Sequence, residues 1–126
     1  MKQDITSRKD IHFIITGFYE KLTSDEKMLP FFDEIVQSNH LEEHIETITD
    51  FWQDILLYTS NYSNNVLKKH LDFHKKKAFK KAHFTTWLMY LLETIDANFD
   101  GQNAQNMKDR AASIAMVMQV KLNLYD

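Results

Sequence analysis

Residues 41–55 read Leu41-Glu42-Glu43-His44-Ile45-Glu46-Thr47-Ile48-Thr49-Asp50-Phe51-Trp52-Gln53-Asp54-Ile55. Leu41, His44, Ile45, Ile48, Phe51, Trp52 and Ile55 recur three and four apart, while Glu42, Glu43 and Glu46 face away. That is the stripe of an amphipathic helix and not the alternation of a strand. The helix is expected to open near Ser38 or Asn39, and the polar stretch Thr59 to Asn65 breaks it. Upstream, Ile11, Ile14, Ile15, Phe18 and Leu22 form one face of another helix, with Asp4, Thr6 or Ser7 as its cap. A short turn, capped by Ser24 or Asp25, runs to Pro30 and leaves Phe31 and Phe32 just beyond it. Downstream, a lysine-rich segment from about Val66 to Ala82 is less regular. Phe84, Trp87, Leu88, Leu91 and Ile95 predict a fourth helix ending near Asp100-Gly101. Met107, Ala111, Ile114, Ala115, Met118 and Leu122 predict the last.

The composition agrees. The 126 residues hold two glycines and one proline, too few for the tight turns of a sheet protein, and 44 % of them are apolar, enough for a packed core. One all-α domain over residues 1–126 is expected, with no linker and no repeat. The absence of cysteine removes a disulfide framework, a thiolate zinc site and a cysteine nucleophile together. A net charge of −3 gives no overall field for nucleic acid. The amino terminus is charged from the start and lacks the apolar centre of a signal peptide, and no apolar run is long enough to span a bilayer. The expectation is a cytoplasmic protein without a membrane span.

His44 lies on the apolar stripe with Ile48, Phe51 and Ile55, at about 100° per residue. A histidine facing a core needs a hydrogen-bond partner or a ligand there. The plain alternative is a buried histidine bonded to a backbone carbonyl, or one at the rim of the stripe. Two His-x-x-x-His pairs, His40 with His44 and His70 with His74, place imidazoles on one helix face but lack an evident third metal ligand. None of the six histidines has Glu three positions before it, so the di-iron helical bundle is disfavoured. No phosphate loop, nucleophile elbow or zincin motif is present. Lys68, Lys69, Lys75, Lys76, Lys77, Lys80 and Lys81 are opposed only by Asp72; they form either a solvated face or a local anion site. Among the large aromatics, Tyr19 and Trp87 carry polar atoms that want partners when buried. A phenol, an indole and a histidine around one cavity suit a small polar ligand. With a flat cofactor whose metal a second histidine holds from the other side, they describe a haem pocket.

Taken in order, several segments resemble the group III truncated haemoglobins. They are Asp10-Ile11, Phe18-Tyr19-Glu20-Lys21, Leu29-Pro30-Phe31-Phe32, the spacing from His44 to Phe51-Trp52, and Leu67-Lys68-Lys69-His70-Leu71-Asp72. His83-Phe84-Thr85-Thr86-Trp87-Leu88, Phe99-Asp100-Gly101 and Arg110-Ala111-Ala112-Ser113-Ile114-Ala115 complete the set. The lack of Gly-Gly pairs fits the same group, while Leu41 stands where the family often has tryptophan.

The resemblance implies a two-over-two helical sandwich around haem b. It implies His70 as the proximal iron ligand, although counting back from Trp87 selects His74. Tyr19 corresponds to the distal tyrosine that hydrogen-bonds the small ligand, and Phe32 to the aromatic that wedges the haem. His44 corresponds to the distal histidine at the ligand entry. Ile48, Phe51 and Trp52 line or support that side, and the Trp87 indole completes the distal donors. The lysines near His70 are candidates to meet the haem propionates.

The implied ligands are dioxygen, nitric oxide, carbon monoxide or peroxide. Nitric oxide dioxygenase or peroxidase-like turnover would need electrons from an unidentified reductase. Two other classes compete with this reading. One is a cofactor-free helical module docking an acidic partner through its lysines; the other is a small non-haem metal protein using a histidine pair.

Overall fold

The computed structural model describes residues 2–59 and 80–121. Every regular element among them is helical. Helix α1 covers Arg8–Ser24, and a 3-10 turn covers Leu29–Phe31. Helix α2 is the single turn Asp33–Gln37, and α3 covers Leu41–Leu57. The long helices α4, Lys81–Asn98, and α5, Gln102–Lys121, follow.

Local chemistry sets these boundaries. Ser7 caps α1, its hydroxyl accepting from the Asp10 N–H, while the Asp10 carboxylate accepts from the Thr6 N–H. Pro30 sits in the first turn of the 3-10 segment, where its missing N–H costs nothing. Helix α2 closes through Asn39 in the left-handed region (φ 61°), which lets the His40 N–H reach the Ile35 carbonyl. Tyr58 takes the same conformation (φ 58°) to end α3. At the start of α4 the Lys80 N–H donates to His83 Nδ1.

Helix α1 lies at the centre. Ile11, Ile14, Ile15, Phe18 and Leu22 are all buried, as their spacing predicts, against α3 on one side and α4 on the other. Full burial of such side chains stabilises the fold by roughly 1.5–3 kcal/mol each. Gly17 lies at the close approach of α1 and α4, where an added Cβ would stand 3.3 Å from Thr94 Cγ2. Helix α4 packs in turn on α5, and α5 touches α3, so the four long helices close a ring around the core.

The three residues Phe99–Gly101 join α4 to α5. There Asp4 reaches across the chain, and its carboxylate accepts from the Asn103 and Ala104 N–H groups at 2.9 Å each. Asp4 therefore caps α5, not α1, and satisfies two N–H groups that a helix start leaves without partners. Gly101 has φ +148°, and a Cβ there would collide with the Asp4 carboxyl.

Candidate functional site

The stripe read as one on α3 is two. Ile45, Thr49, Trp52 and Leu56 are buried in the core, whereas His44, Ile48, Phe51 and Ile55 are half-buried. The two rows stand about 100° apart around the helix. Trp52 thus belongs to the core row; its ring meets that of Phe51 edge-on at 5.4 Å. A half-covered row of large apolar residues running from a histidine is a surface suited to a flat apolar ligand.

At the head of that row His44 meets Tyr19 of α1. The Tyr19 hydroxyl and His44 Nε2 are 2.7 Å apart, and the two rings stand edge to face at 5.2 Å. A partner of the histidine is thus a phenol, and the residue itself is half-buried. Burial pushes the Tyr19 phenol well above its ordinary value of 10.0, so it keeps its proton and remains a donor. Phe32, just past the 3-10 turn, is buried with its ring edge-on to Tyr19 at 5.5 Å. Phe18 meets Tyr19 from the other side at 5.3 Å. These rings leave the phenol little freedom to turn.

Trp87, half-buried on α4, packs edge-on against Phe18 at 5.7 Å. Its indole N–H makes no hydrogen bond to Tyr19 or His44, so the structure joins two of the three expected polar groups directly and the third only through Phe18. His40 is exposed at the cap of α3, and its pair with His44 gathers no third ligand among the described residues. His70, His74, Lys68, Lys69, Lys75, Lys76 and Lys77 lie outside the described residues.

Sequence reading missed the clamp that holds Phe31 and Phe32 in place. The Tyr90 hydroxyl of α4 donates to Asp25, whose carboxylate also accepts from the Lys27 N–H at 2.7 Å. This bond fixes the loop between α1 and α2, and the 65 residues separating its partners carried no local signal.

The fold is that of a truncated globin. The chain matches a crystal structure titled group III truncated hemoglobin from Campylobacter jejuni with a TM-score of 0.86 and 28 % identity, covering 100 % of this chain and 97 % of that one. It is also 29 % identical over 127 residues to Group 3 truncated hemoglobin ctb of Campylobacter jejuni, across 99 % of this chain and 98 % of the relative. No family model matches. The chain is thus a homologue of a group 3 truncated haemoglobin, in keeping with the resemblance its motifs carry. No helix among the described residues is long and apolar enough to cross a membrane.

Proposed function

We propose that residues 1–126 act as one globin domain that binds haem b and, through it, dioxygen or another small diatomic ligand. The observation that carries this reading is the 2.7 Å Tyr19–His44 bond at the head of the half-buried row Ile48, Phe51 and Ile55. A phenol and an imidazole held together beside an apolar face fit the side of a haem where a small ligand binds. Similarity to truncated haemoglobins supports the cofactor.

When bound, the haem iron supplies the site for the diatomic ligand and any electron transfer to it. The chain supplies the rest. His70 is assigned as the proximal ligand, ahead of His74. Tyr19, kept protonated by burial, offers its hydroxyl to the partly negative end of a polarised ligand. His44 accepts from that phenol or donates to it, according to its tautomer, and stands at the ligand's entry. Ile48 and Phe51 keep water from the apolar face, Trp52 supports them from the core row, and Phe32 restrains Tyr19. Trp87 lies behind Phe18 and acts on the donors through packing. Lysines beside His70 are assigned to the haem propionates. Binding sites for dioxygen, carbon monoxide and nitric oxide are one and the same in this reading. Turnover of nitric oxide or peroxide would draw electrons from a separate reductase, and the proposed location is the cytoplasm.

The test is haemin titration of the purified protein followed by reduction under carbon monoxide. A one-to-one complex with a sharp Soret band and a histidine-type carbon monoxide spectrum is expected. His70→Ala should abolish that spectrum and His74→Ala should retain it. Loose haemin binding without a defined Soret shift would overturn the reading.

A further inference from the structure

We propose that His12, Glu42 and Glu46 form a second site, for a divalent cation of the zinc type, that links α1 to α3 on the outside of the bundle. His12 lies on α1; Glu42 and Glu46 are four apart on α3 and so share a face. Their ligand atoms all lie within 4.8 Å of one another, and among the described residues no other group of three such side chains does so.

Three observations carry the site. The first is the state of His12 Nε2. It is buried from solvent, with Glu46 Oε1 at 3.1 Å and Glu42 Oε1 at 3.4 Å, yet it makes no hydrogen bond. Nε2 thus stands between two carboxylate oxygens of α3 with neither of them locked to it by an aligned hydrogen bond.

The second is the spacing. Zinc bonds to imidazole nitrogen and carboxylate oxygen of about 2.0–2.1 Å place neighbouring tetrahedral ligands roughly 3.3 Å apart. The two nitrogen–oxygen separations bracket that value.

The third is the surroundings. His12 Nδ1 lies 3.5 Å from the Thr16 hydroxyl, a partner that orients the ring and leaves Nε2 outward. Arg8 holds the other oxygen of Glu46 at 2.6 Å, bonds Asp50 as well, and so turns Glu46 Oε1 toward the histidine. Against the single positive charge of Arg8 stand Glu42, Glu46 and Asp50, which leaves two negative charges for a dication to neutralise. One nitrogen and two oxygen donors with an open fourth position suit zinc better than calcium, which takes six or more oxygens.

This site is independent of haem binding and is tested on the protein as purified, after chelator dialysis, by calorimetric titration with zinc sulfate. The expected result is one zinc per chain that His12→Ala and Glu42→Gln each weaken at least about tenfold, the loss that even an outer-shell partner of a metal can bring. His40→Ala is expected to change nothing. Zinc should raise the melting temperature of the parent and of His40→Ala, but not of the other two variants. Glu42 is 75 % exposed, so its variant decides the question if His12→Ala loses helicity. Zinc binding of unchanged stoichiometry and affinity in Glu42→Gln, or no zinc binding by the parent, overturns the site.

Discussion

Tyr19 of α1 and His44 of α3 meet at 2.7 Å, from positions 25 residues apart, and form a polar contact between two helices on the proposed haem side. Neither side chain makes that contact by local geometry; it exists because the buried rows of α1 and α3 pack against each other.

The phenol is the member of the pair that can only be a donor to an anionic ligand, since burial holds it protonated. Replacing it, Tyr19→Phe, removes one hydrogen bond to a group carrying partial charge, worth about 1.5–3 kcal/mol. Dioxygen release from the haem complex should then quicken by roughly 10–100-fold, read by stopped-flow absorbance. An unchanged rate removes Tyr19 from its assigned role.

Stability should fall at both ends of the pH scale. Hydrogen bonding from Arg8 holds Glu46 below its ordinary 4.5, and the Tyr90 hydroxyl holds Asp25 below 3.8. For Asp4, burial pulls upward but bonds from the Asn103 and Ala104 N–H groups prevail and lower it. Carboxylates depressed in the fold stabilise it above their unfolded values, and that contribution is lost as pH drops through the folded ones. Unfolding by acid is therefore expected below about pH 4. At the alkaline end, the hydrogen bond to Asp25 raises Tyr90 and burial raises Tyr19 above 10.0. Their contribution is complete below pH 10.0 and disappears as pH climbs through the raised values. Tyr90→Phe should flatten both limbs, measured as denaturation midpoints across pH, because it removes the leading hydrogen bond that lowers Asp25 and one of the two phenols.

Arg8 joins α1 to α3 through Glu46, Asp50 and the Gln53 side-chain oxygen. The guanidinium is about one-third exposed, so water screens the pairs, and Arg8→Met should cost only about 1 kcal/mol. Urea denaturation in low and high salt checks this: the difference between parent and variant should shrink as salt rises.

Asp4→Ala removes two hydrogen bonds from the first turn of α5. The expected loss is about 1–2 kcal/mol by urea denaturation, as for other helix caps. Gly101→Ala should cost at least as much, since it brings both the strain of φ +148° and a collision with the same carboxylate.

Much of this was legible in the sequence. The three-and-four spacing of Ile11, Ile14, Ile15, Phe18 and Leu22 marks the buried face of α1, to which the structure adds Tyr19, because a helix with one wet side must write its period into the chain. His44 was marked as inward for the same reason. Its partner was not legible from spacing, since Tyr19 and His44 are brought together by packing. The division of the α3 row was hidden too: Ile45 and Ile48 are equally apolar, and only the positions of α1 and α5 decide which is covered. Asp4 looked like a cap and is one, but for the helix that begins 98 residues later, a choice that depends on where the α4–α5 corner lands.

That clasp has a kinetic side. Contacts between Asp4 and residues 99 and 100 positions further on are among the most non-local in the fold, and such contacts close last. At roughly 5–20 residues per second, a ribosome needs about 5–20 seconds to carry synthesis from Asp4 to Asn103. Through that interval Ile5, fully enclosed in the finished protein, lacks the Asn103 side chain that bonds its carbonyl. The start of the chain is thus among the last segments to be fastened, and the finished corner reports that the last helix has arrived.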